Sequence, residues 1–141
     1  MKERILLLTH GGWGSALLHG VEMILGTVDF VDEIPLYAQD TRTEFEGKIE
    51  KYIKEYCQAD KDAHLTIMTD MFGGTTTNTA AYAAHRCQNR INVITGLNAP
   101  LLLGACSQIV FDCGLDIPRL LDEAGCSIFD VMEKIRMKGV S

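Results

Sequence analysis

Short apolar segments alternate with longer amphipathic segments along this chain, and this alternation restricts the fold more than any other feature. Residues 4–9, 64–69 and 91–95 are apolar runs of strand length, and each is followed closely by glycine. Continuous runs of this kind are typical of strands that are covered on both faces. Strands that alternate with helices at this spacing predict an α/β fold, in which a mainly parallel sheet carries helices on both faces.

The segments between these strands have the apolar spacing of helices. In the clearest example, Phe45, Ile49 and Ile53 recur every fourth residue, whereas acidic and basic residues occupy the opposite face. This pattern is typical of a helix with one buried stripe and one solvated face. The predicted helices begin and end near residues 15–25, 45–56, 77–87, 101–109, 118–124 and 127–137.

The order of the strands follows from general rules of chain connection. A weaker strand at 30–36 contains Pro35, which favours an edge position because proline cannot donate to the ladder. Right-handed crossovers leave few arrangements, and we expect the doubly wound, flavodoxin-like order 2-1-3-4. The short segment 135–140 would supply an extra edge strand, although its pattern does not decide this. With 141 residues, the chain has the commonest size of one domain, and we expect a single domain over residues 1–141.

Charge and apolar run length exclude several classes of protein. Thirteen basic and 19 acidic side chains give a net charge of −6, which is the opposite of a nucleic-acid-binding surface. The longest apolar runs, such as residues 5–8, are too short for a membrane span or a signal peptide. Five cysteines without C-x-x-C spacing argue against a disulfide scaffold and a zinc site. We therefore expect a soluble, cytoplasmic protein without a metal, whose cysteines are reduced.

Two polar side chains are predicted to meet at one edge of the sheet. His10 follows the first strand, and Asp70 follows the third strand within a stretch that is otherwise poor in charge. In the order 2-1-3-4 these two loops are neighbours, and ligands bind at this switch point of parallel sheets. A carboxylate that holds one ring nitrogen fixes the tautomer and leaves the other nitrogen nucleophilic.

Glycine pairs surround the predicted histidine–carboxylate pair, and helices are expected to begin just after them. Glycine allows the backbone to approach a ligand closely, and helix N-termini offer unpaired amides to an anion. The arrangement therefore predicts a phosphohistidine site at His10. The alternative is that His10 caps a loop and that the glycines only form turns. The glycines in question are Gly11, Gly12, Gly73 and Gly74.

Three motifs together resemble one known family. They are His10-Gly11 after the first strand, Asp70-x-x-Gly-Gly-Thr75 after the third, and Thr95-Gly-Leu-Asn-Ala-Pro-Leu101 after the fourth. In order and spacing they resemble the IIA component, or domain, of the mannose-family phosphoenolpyruvate-dependent sugar phosphotransferase system. The resemblance covers residues 4–110, and it covers the C-terminal third only loosely.

The resemblance implies a specific activity. His10 would accept a phosphoryl group from the carrier protein HPr and pass it to a IIB component, so that the chain acts as a phosphotransferase without a cofactor. Asp70 would orient His10, and Thr75 would help to hold the phosphoryl oxygens together with the glycines. Association with the membrane components IIC and IID would be indirect, and a homodimer is expected. Trp13 and Phe72 flank the predicted site, either as an apolar rim that contacts partner proteins or as core aromatics.

Two other functions compete with this interpretation. The first is a non-catalytic module that binds a small anion or nucleotide, although no G-x-G-x-x-G or G-x4-G-K-[ST] motif supports it. The second is a phosphatase, because Cys113 and Arg119 have C-x5-R spacing. Pro118 lacks an amide for such a loop, and Asp116 would repel a phosphate dianion. The remaining histidines, at positions 19, 64 and 85, are assigned no role.

Overall fold

Strands and helices alternate along the chain in the computed structural model, which describes residues 2–57, 60–87 and 91–139. The strands are parallel, and each of the first three is followed by a helix that leads to the next strand. The elements are β1 (Lys2–His10), α1 (Trp13–Leu25), β2 (Val31–Leu36), α2 (Arg42–Cys57), β3 (Ala63–Thr69), α3 (Thr75–Arg86), β4 (Ile91–Thr95), α4 (Ala99–Asp112), α5 (Ile117–Gly125) and α6 (Val131–Met137).

The sheet has the order β2-β1-β3-β4, which confirms the predicted α/β fold and strand order. Strand β1 lies in the centre, where Leu8 is paired with Ile34 on one side and with Thr69 on the other. Strand β2 pairs only with β1 in the described part of the chain, so Pro35 lies on an edge strand as predicted. This order places the carboxyl ends of β1 and β3 side by side.

Strand β1 is buried on both faces of the sheet. Ile5 and Leu7 belong to a cluster with residues of α1, α4 and α5, whereas Leu6 and Leu8 pack with residues of α2 and α3. These four side chains are fully buried. Burial of each contributes roughly 1.5–3 kcal/mol relative to exposure, which explains why a continuous apolar run is found in a central strand.

The C-terminal region differs from the prediction. Residues 135–137, predicted to begin an extra edge strand, lie in helix α6, and Val140 lies outside the described residues. The helix forms because the Asp130 side chain accepts hydrogen bonds from the amides of Met132 and Glu133 and so caps its first turn. The helical pattern predicted a start at residue 127, but α6 begins at Val131 because Asp130 is its N-cap.

Two helix starts matter for the site described below. Helix α1 begins at Trp13 and α3 at Thr75, each two residues before its predicted start. Consequently the first turn of α3 follows Gly74 directly, at the edge of the sheet where β1 also ends. Among the described residues, no helix is both long enough and apolar enough to cross a membrane.

Candidate active site

The structure brings His10 and Asp70 together. His10 is the last residue of β1, and Asp70 is the first residue after β3, so the parallel register places them at the same edge. The ring Nδ1 of His10 lies 2.9 Å from Asp70 Oδ2, and the His10 amide donates to the same oxygen over 2.7 Å. The Asp70 side chain is only 5% exposed, whereas that of His10 is 42% exposed. The carboxylate is therefore buried beneath an imidazole that solvent and ligands reach.

Asp70 is held in its ionised form. Its second oxygen, Oδ1, accepts hydrogen bonds of 3.0 Å from the Thr76 hydroxyl and from the Met71 amide. Burial opposes ionisation, but the hydrogen bonds from the His10 amide, the His10 ring and Thr76 outweigh it and lower the pKa of Asp70. Thr76 was not predicted, because three consecutive threonines at 75–77 give no indication of which one turns toward the carboxylate.

The hydrogen bond to Asp70 assigns the roles of the two ring nitrogens of His10. An ionised carboxylate can only accept, so Nδ1 carries a proton, and in the neutral ring Nε2 then keeps its lone pair. Nε2 has no hydrogen-bond partner within the described residues. A Cβ atom at position 74 would lie 3.4 Å from the ring Cε1 and 3.8 Å from Nε2, which shows how closely Gly74 approaches the ring. The free nitrogen thus lies beside the start of α3.

A protein carboxylate accepts from one amide in the first turn of α1. Glu33 Oε2, from the neighbouring strand β2, accepts from the Ser15 amide over 2.9 Å and from the Thr9 hydroxyl over 3.1 Å. A Cβ atom at position 14 would clash with this oxygen, so the close approach requires Gly14. The prediction that the α1 N-terminus offers unpaired amides to an anion is therefore wrong at Ser15, because Glu33 occupies the position of the anion.

The N-terminus of α3 is open in comparison. Its N-cap is Gly74, which has extended backbone and no side chain to accept from the first turn. The first amides of a helix have no partner within the helix, and together with the helix dipole they attract negative charge. The hydroxyls of Thr76 and Thr77 are used within the protein, by Asp70 and by the Met71 carbonyl, whereas Thr75 lines the cleft beside His10. The glycines before α3 and α1 form turns with positive φ, +83° at Gly73 and +70° at Gly11.

A cleft of about 470 Å³ lies against the exposed face of His10. One wall is formed by His10, Gly11 and Thr75. A second wall is formed by the last residue of β2, the loop that follows it and the first residue of α2, and it was not predicted from the sequence. Its residues are Leu36, Tyr37, Ala38, Asp40 and Arg42.

The aromatic residues beside the site are accessible. Phe72 is 84% exposed, and Trp13 is 39% exposed. Met71, next to Phe72, is exposed as well. The interpretation of Phe72 as a core aromatic is therefore wrong. The role of both aromatics as a rim for partner proteins stays a prediction.

The C-x5-R segment is not a phosphate loop. Cys113 ends α4 in the left-handed conformation, and Asp116 caps α5 by accepting from the Arg119 amide over 3.1 Å. The Arg119 guanidinium forms ion pairs with Asp112 and Glu123. Because carboxylates already take up the Arg119 amide and its guanidinium, which would have to bind phosphate, the phosphatase interpretation is wrong.

The sheet order and the site geometry define a doubly wound α/β protein with a ligand-accessible histidine at the carboxyl edge of its parallel sheet. A family model described as PTS system fructose IIA component matches residues 4–116 of the chain. The chain belongs to this family of IIA components of the phosphoenolpyruvate-dependent sugar phosphotransferase system (PTS). Family membership assigns it a phosphotransferase role in PTS sugar transport, together with other PTS components.

Solved structures share the fold along nearly the whole chain. The PTS IIA protein associated with the fucose utilization operon of Streptococcus pneumoniae has a TM-score of 0.83 at 24% identity, covering 96% of this chain and 97% of that one. The mannose/sorbose specific IIA subunit from Enterococcus faecalis has a TM-score of 0.76 at 20% identity, covering 93% and 96%. The phosphotransferase system component EIIA from Streptococcus agalactiae has a TM-score of 0.74 at 19% identity, covering 93% of this chain and 98% of that one. The similarity therefore includes the C-terminal helices.

Proposed function

We propose that this chain is a phosphohistidine carrier of the phosphotransferase system. His10 accepts a phosphoryl group from phosphorylated HPr and passes it to a IIB component, which uses it in sugar uptake and phosphorylation. One observation carries the proposal: Asp70 holds Nδ1 of His10 over 2.9 Å, while Nε2, beside the open N-terminus of α3, has no hydrogen-bond partner among the described residues. A carrier needs this combination of an oriented nucleophile and an anion site.

The transfer step balances without a cofactor or an external base. The Nε2 lone pair of neutral His10 attacks phosphorus in line, and the nitrogen–phosphorus bond of the donor histidine breaks. The electron pair of the broken bond stays on the donor ring. The phosphorylated His10 ring becomes cationic and keeps its Nδ1 proton, and the Asp70 carboxylate stabilises this positive charge. The bond that breaks and the bond that forms are both nitrogen–phosphorus bonds. The onward transfer from His10 to a IIB component therefore needs no additional energy source.

The phosphoryl oxygens are held by the first turn of α3 in this proposal. The backbone amides after Gly74 and the Thr75 hydroxyl would donate to these oxygens, because α3 begins directly after Gly74 and Thr75 lines the cleft beside His10. Gly11 and Gly73 allow the two loops to approach the phosphoryl group because they adopt positive φ without strain. The site thus supplies positioning and charge stabilisation, which carry most of the catalysis in phosphoryl transfer.

HPr and IIB would dock in turn on the same face. Trp13 and Phe72 provide exposed aromatic surface around His10, and aromatic residues are enriched in protein interfaces. The association with IIC and IID at the membrane would be indirect, through IIB. The cytoplasmic location and a single domain over residues 1–141 are further parts of the proposal, which follow from the role of a IIA component.

We also propose that the chain forms a homodimer. The segment after α5 exposes apolar side chains, and α6 has no buried residue. Such a surface is unusual for a monomer and suits an interface. Sedimentation equilibrium would show a dimer, and a monomer at high protein concentration would contradict this part of the proposal. The exposed side chains are Ile128, Phe129, Val131, Met132, Ile135 and Met137.

One reconstitution tests the carrier function. The protein is incubated with phosphoenolpyruvate, enzyme I and HPr, and its intact mass is measured with and without HPr. We expect the mass of one phosphoryl group to be added only when HPr is present, as an acid-labile and alkali-stable modification. A non-catalytic anion-binding module would bind phosphate reversibly and show no added mass, and this result would contradict the proposal.

A further inference from the structure

The cleft at His10 has a wall that the family motifs do not include. This wall contains Tyr37, Asp40 and Arg42, which line the same cleft as His10 and Thr75. Among the residues that line the cleft, Arg42 carries the basic side chain that stays charged at every relevant pH. This charge matters because His10, the proposed carrier of a phosphoryl dianion, lines the same cleft.

The position of Arg42 is fixed by a capping box at the start of α2. The Glu44 amide donates to the Thr41 hydroxyl over 3.1 Å, and the Thr41 amide donates to the Glu44 carboxylate over 3.1 Å. Reciprocal bonds of this kind hold the first turn of a helix rigidly. Arg42, the first residue of α2, therefore projects from a fixed backbone at the mouth of the cleft.

The guanidinium of Arg42 has unused donors. Its Nε donates to Glu46 Oε1 over 2.8 Å, one helical turn away, and the side chain is 71% exposed. Its two Nη groups form no hydrogen bond with any described residue. An exposed ion pair between residues four apart contributes little stability, so the side chain can turn toward a stronger partner at small cost.

A phosphoryl group on His10 would bring strong negative charge into this cleft. Two carboxylates are already present, Asp70 beneath the imidazole and Asp40 in the wall that also contains Arg42. The N-terminus of α3 supplies only about half an elementary charge. A phosphoryl dianion therefore needs a cation on its other side, and a guanidinium binds phosphoryl oxygens in bidentate fashion.

We propose that Arg42 binds the phosphoryl group carried by His10, donating from its Nη groups to two phosphoryl oxygens while α3 donates from the other side. The Tyr37 hydroxyl adds a further donor: it lies 3.1 Å from the Cβ position of Gly12 and forms no hydrogen bond with the described residues. This inference rests on the proposed carrier function. It adds a substrate-binding residue that the motifs around His10 and Asp70 do not supply.

The test compares Arg42→Gln with a matched control, Arg86→Gln. Arg86 is also an exposed arginine in an ion pair, with Glu50 over 2.9 Å, but it lies on α3 away from the cleft. Phosphoryl acceptance is measured with phosphorylated HPr and with phosphoramidate, a small donor that has no protein surface. We expect Arg42→Gln to slow acceptance by about tenfold with both donors, as the loss of a charge-assisted hydrogen bond predicts. Arg86→Gln should match wild type, and Arg42→Lys should recover part of the rate.

A second readout separates binding of the phosphoryl group from a structural role. The pKa of the phosphoryl group on His10 is followed by ³¹P NMR in wild type, in Arg42→Gln and in Arg86→Gln. A nearby cation favours the dianion, so Arg42→Gln should raise this pKa while the unfolding midpoint stays unchanged.

The possible failures are distinguishable. If wild type accepts no phosphoryl group from either donor, the carrier function itself falls and this inference falls with it. If wild type is phosphorylated but Arg42→Gln has the same rate and the same ³¹P titration, only the role of Arg42 is overturned. Slowing with HPr alone would show that Arg42 contacts the donor protein, and this too would overturn the inference.

Discussion

Two histidine–carboxylate pairs lie at opposite ends of the same sheet, and they differ at the second ring nitrogen of the histidine. At the carboxyl end, His10 Nδ1 lies 2.9 Å from Asp70; at the amino end, His64 Nδ1 lies 2.7 Å from Glu3. Both carboxylates are 5% exposed. However, Nε2 of His64 lies 2.7 Å from the Asn92 side-chain amide nitrogen, whereas Nε2 of His10 has no partner within the described residues.

This difference shows that a carboxylate partner does not by itself define a nucleophilic histidine. His64 uses both ring nitrogens to join β1, β3 and β4, so its ring acts as a structural connector. His10 lies where the N-termini of the following helices meet the edge of the sheet. In a parallel α/β sheet the amino edge has no such helix N-termini, and negative ligands bind at the carboxyl edge.

The largest predicted effect separates the two histidines by activity. His10→Ala should reduce phosphoryl acceptance by at least about 10³-fold, because the nucleophile itself is removed. His64→Ala should accept at the wild-type rate as long as it folds. Rapid quench with phosphorylated HPr measures both rates. Acceptance that survives in His10→Ala, or is lost in folded His64→Ala, would reverse the assignment.

Removal of each carboxylate charge gives the next largest effect. Asp70→Asn should slow acceptance by about 10- to 100-fold, because the ring loses its fixed tautomer and the stabilisation of its positive charge. Where a histidine acts as a base, loss of its orienting aspartate slows the reaction by about 10⁴, and we expect less here because His10 is itself the nucleophile. Lower repulsion toward the incoming dianion acts in the opposite direction. Glu3→Gln is the matched control and should leave the rate unchanged. The rate of single-turnover transfer from phosphorylated HPr, measured at one pH, decides between these two effects. An equal or faster rate in Asp70→Asn would show that Asp70 does not orient His10.

A smaller effect is expected from the space around Nε2. In Gly74→Ala the added Cβ would contact the His10 ring at 3.4 Å without a clash, but it would cover the side from which the phosphoryl group approaches. We expect acceptance to slow by roughly three- to tenfold, a barrier change of up to about 1.4 kcal/mol. Gly20→Ala, where the added atom meets open space in α1, serves as the control. Equal rates in the two variants would argue against an approach over α3.

The smallest effect concerns stability, where the order of the two histidines is reversed. His64→Ala leaves the buried Glu3 carboxylate without its ring partner and should lower the free energy of unfolding by about 1–3 kcal/mol. His10→Ala should cost less than about 1 kcal/mol, because Asp70 keeps the bonds from the residue 10 amide, Met71 and Thr76. Urea denaturation measures both values, and a larger loss in His10→Ala would contradict the comparison.

The position of the site was predictable because it depends on the order of the elements. Apolar runs and glycines located the strands, and the rules of chain connection predicted that β1 and β3 are neighbours. His10 and Asp70 lie at the carboxyl ends of those two strands. The resemblance to IIA components rests on the same loops. The predicted position of the site does not change when a helix boundary is wrong by two residues, as it was for the starts of α1 and α3.

The parts that could not be predicted are contacts between segments distant in sequence. Glu33 reaches the start of α1 from β2, and nothing in the local pattern distinguishes it from its neighbour Asp32. The wall with Tyr37 and Arg42 follows the weakest strand, so its place beside His10 depends on the three-dimensional path of that loop. At the C-terminus, an apolar pattern too short to decide between strand and helix was resolved by the cap at Asp130.

The central claim is that Nε2 of His10, and no other ring nitrogen, carries the phosphoryl group. It is tested most directly by ³¹P–¹⁵N correlation NMR on protein labelled with ¹⁵N-histidine and phosphorylated by phosphoenolpyruvate, enzyme I and HPr, with His64→Ala as the reference for assignment. The predicted result is one phosphorus signal, coupled to Nε2 of His10 and unchanged in His64→Ala. A phosphorus coupled to Nδ1 of His10, or a signal that disappears in folded His64→Ala, would contradict the claim.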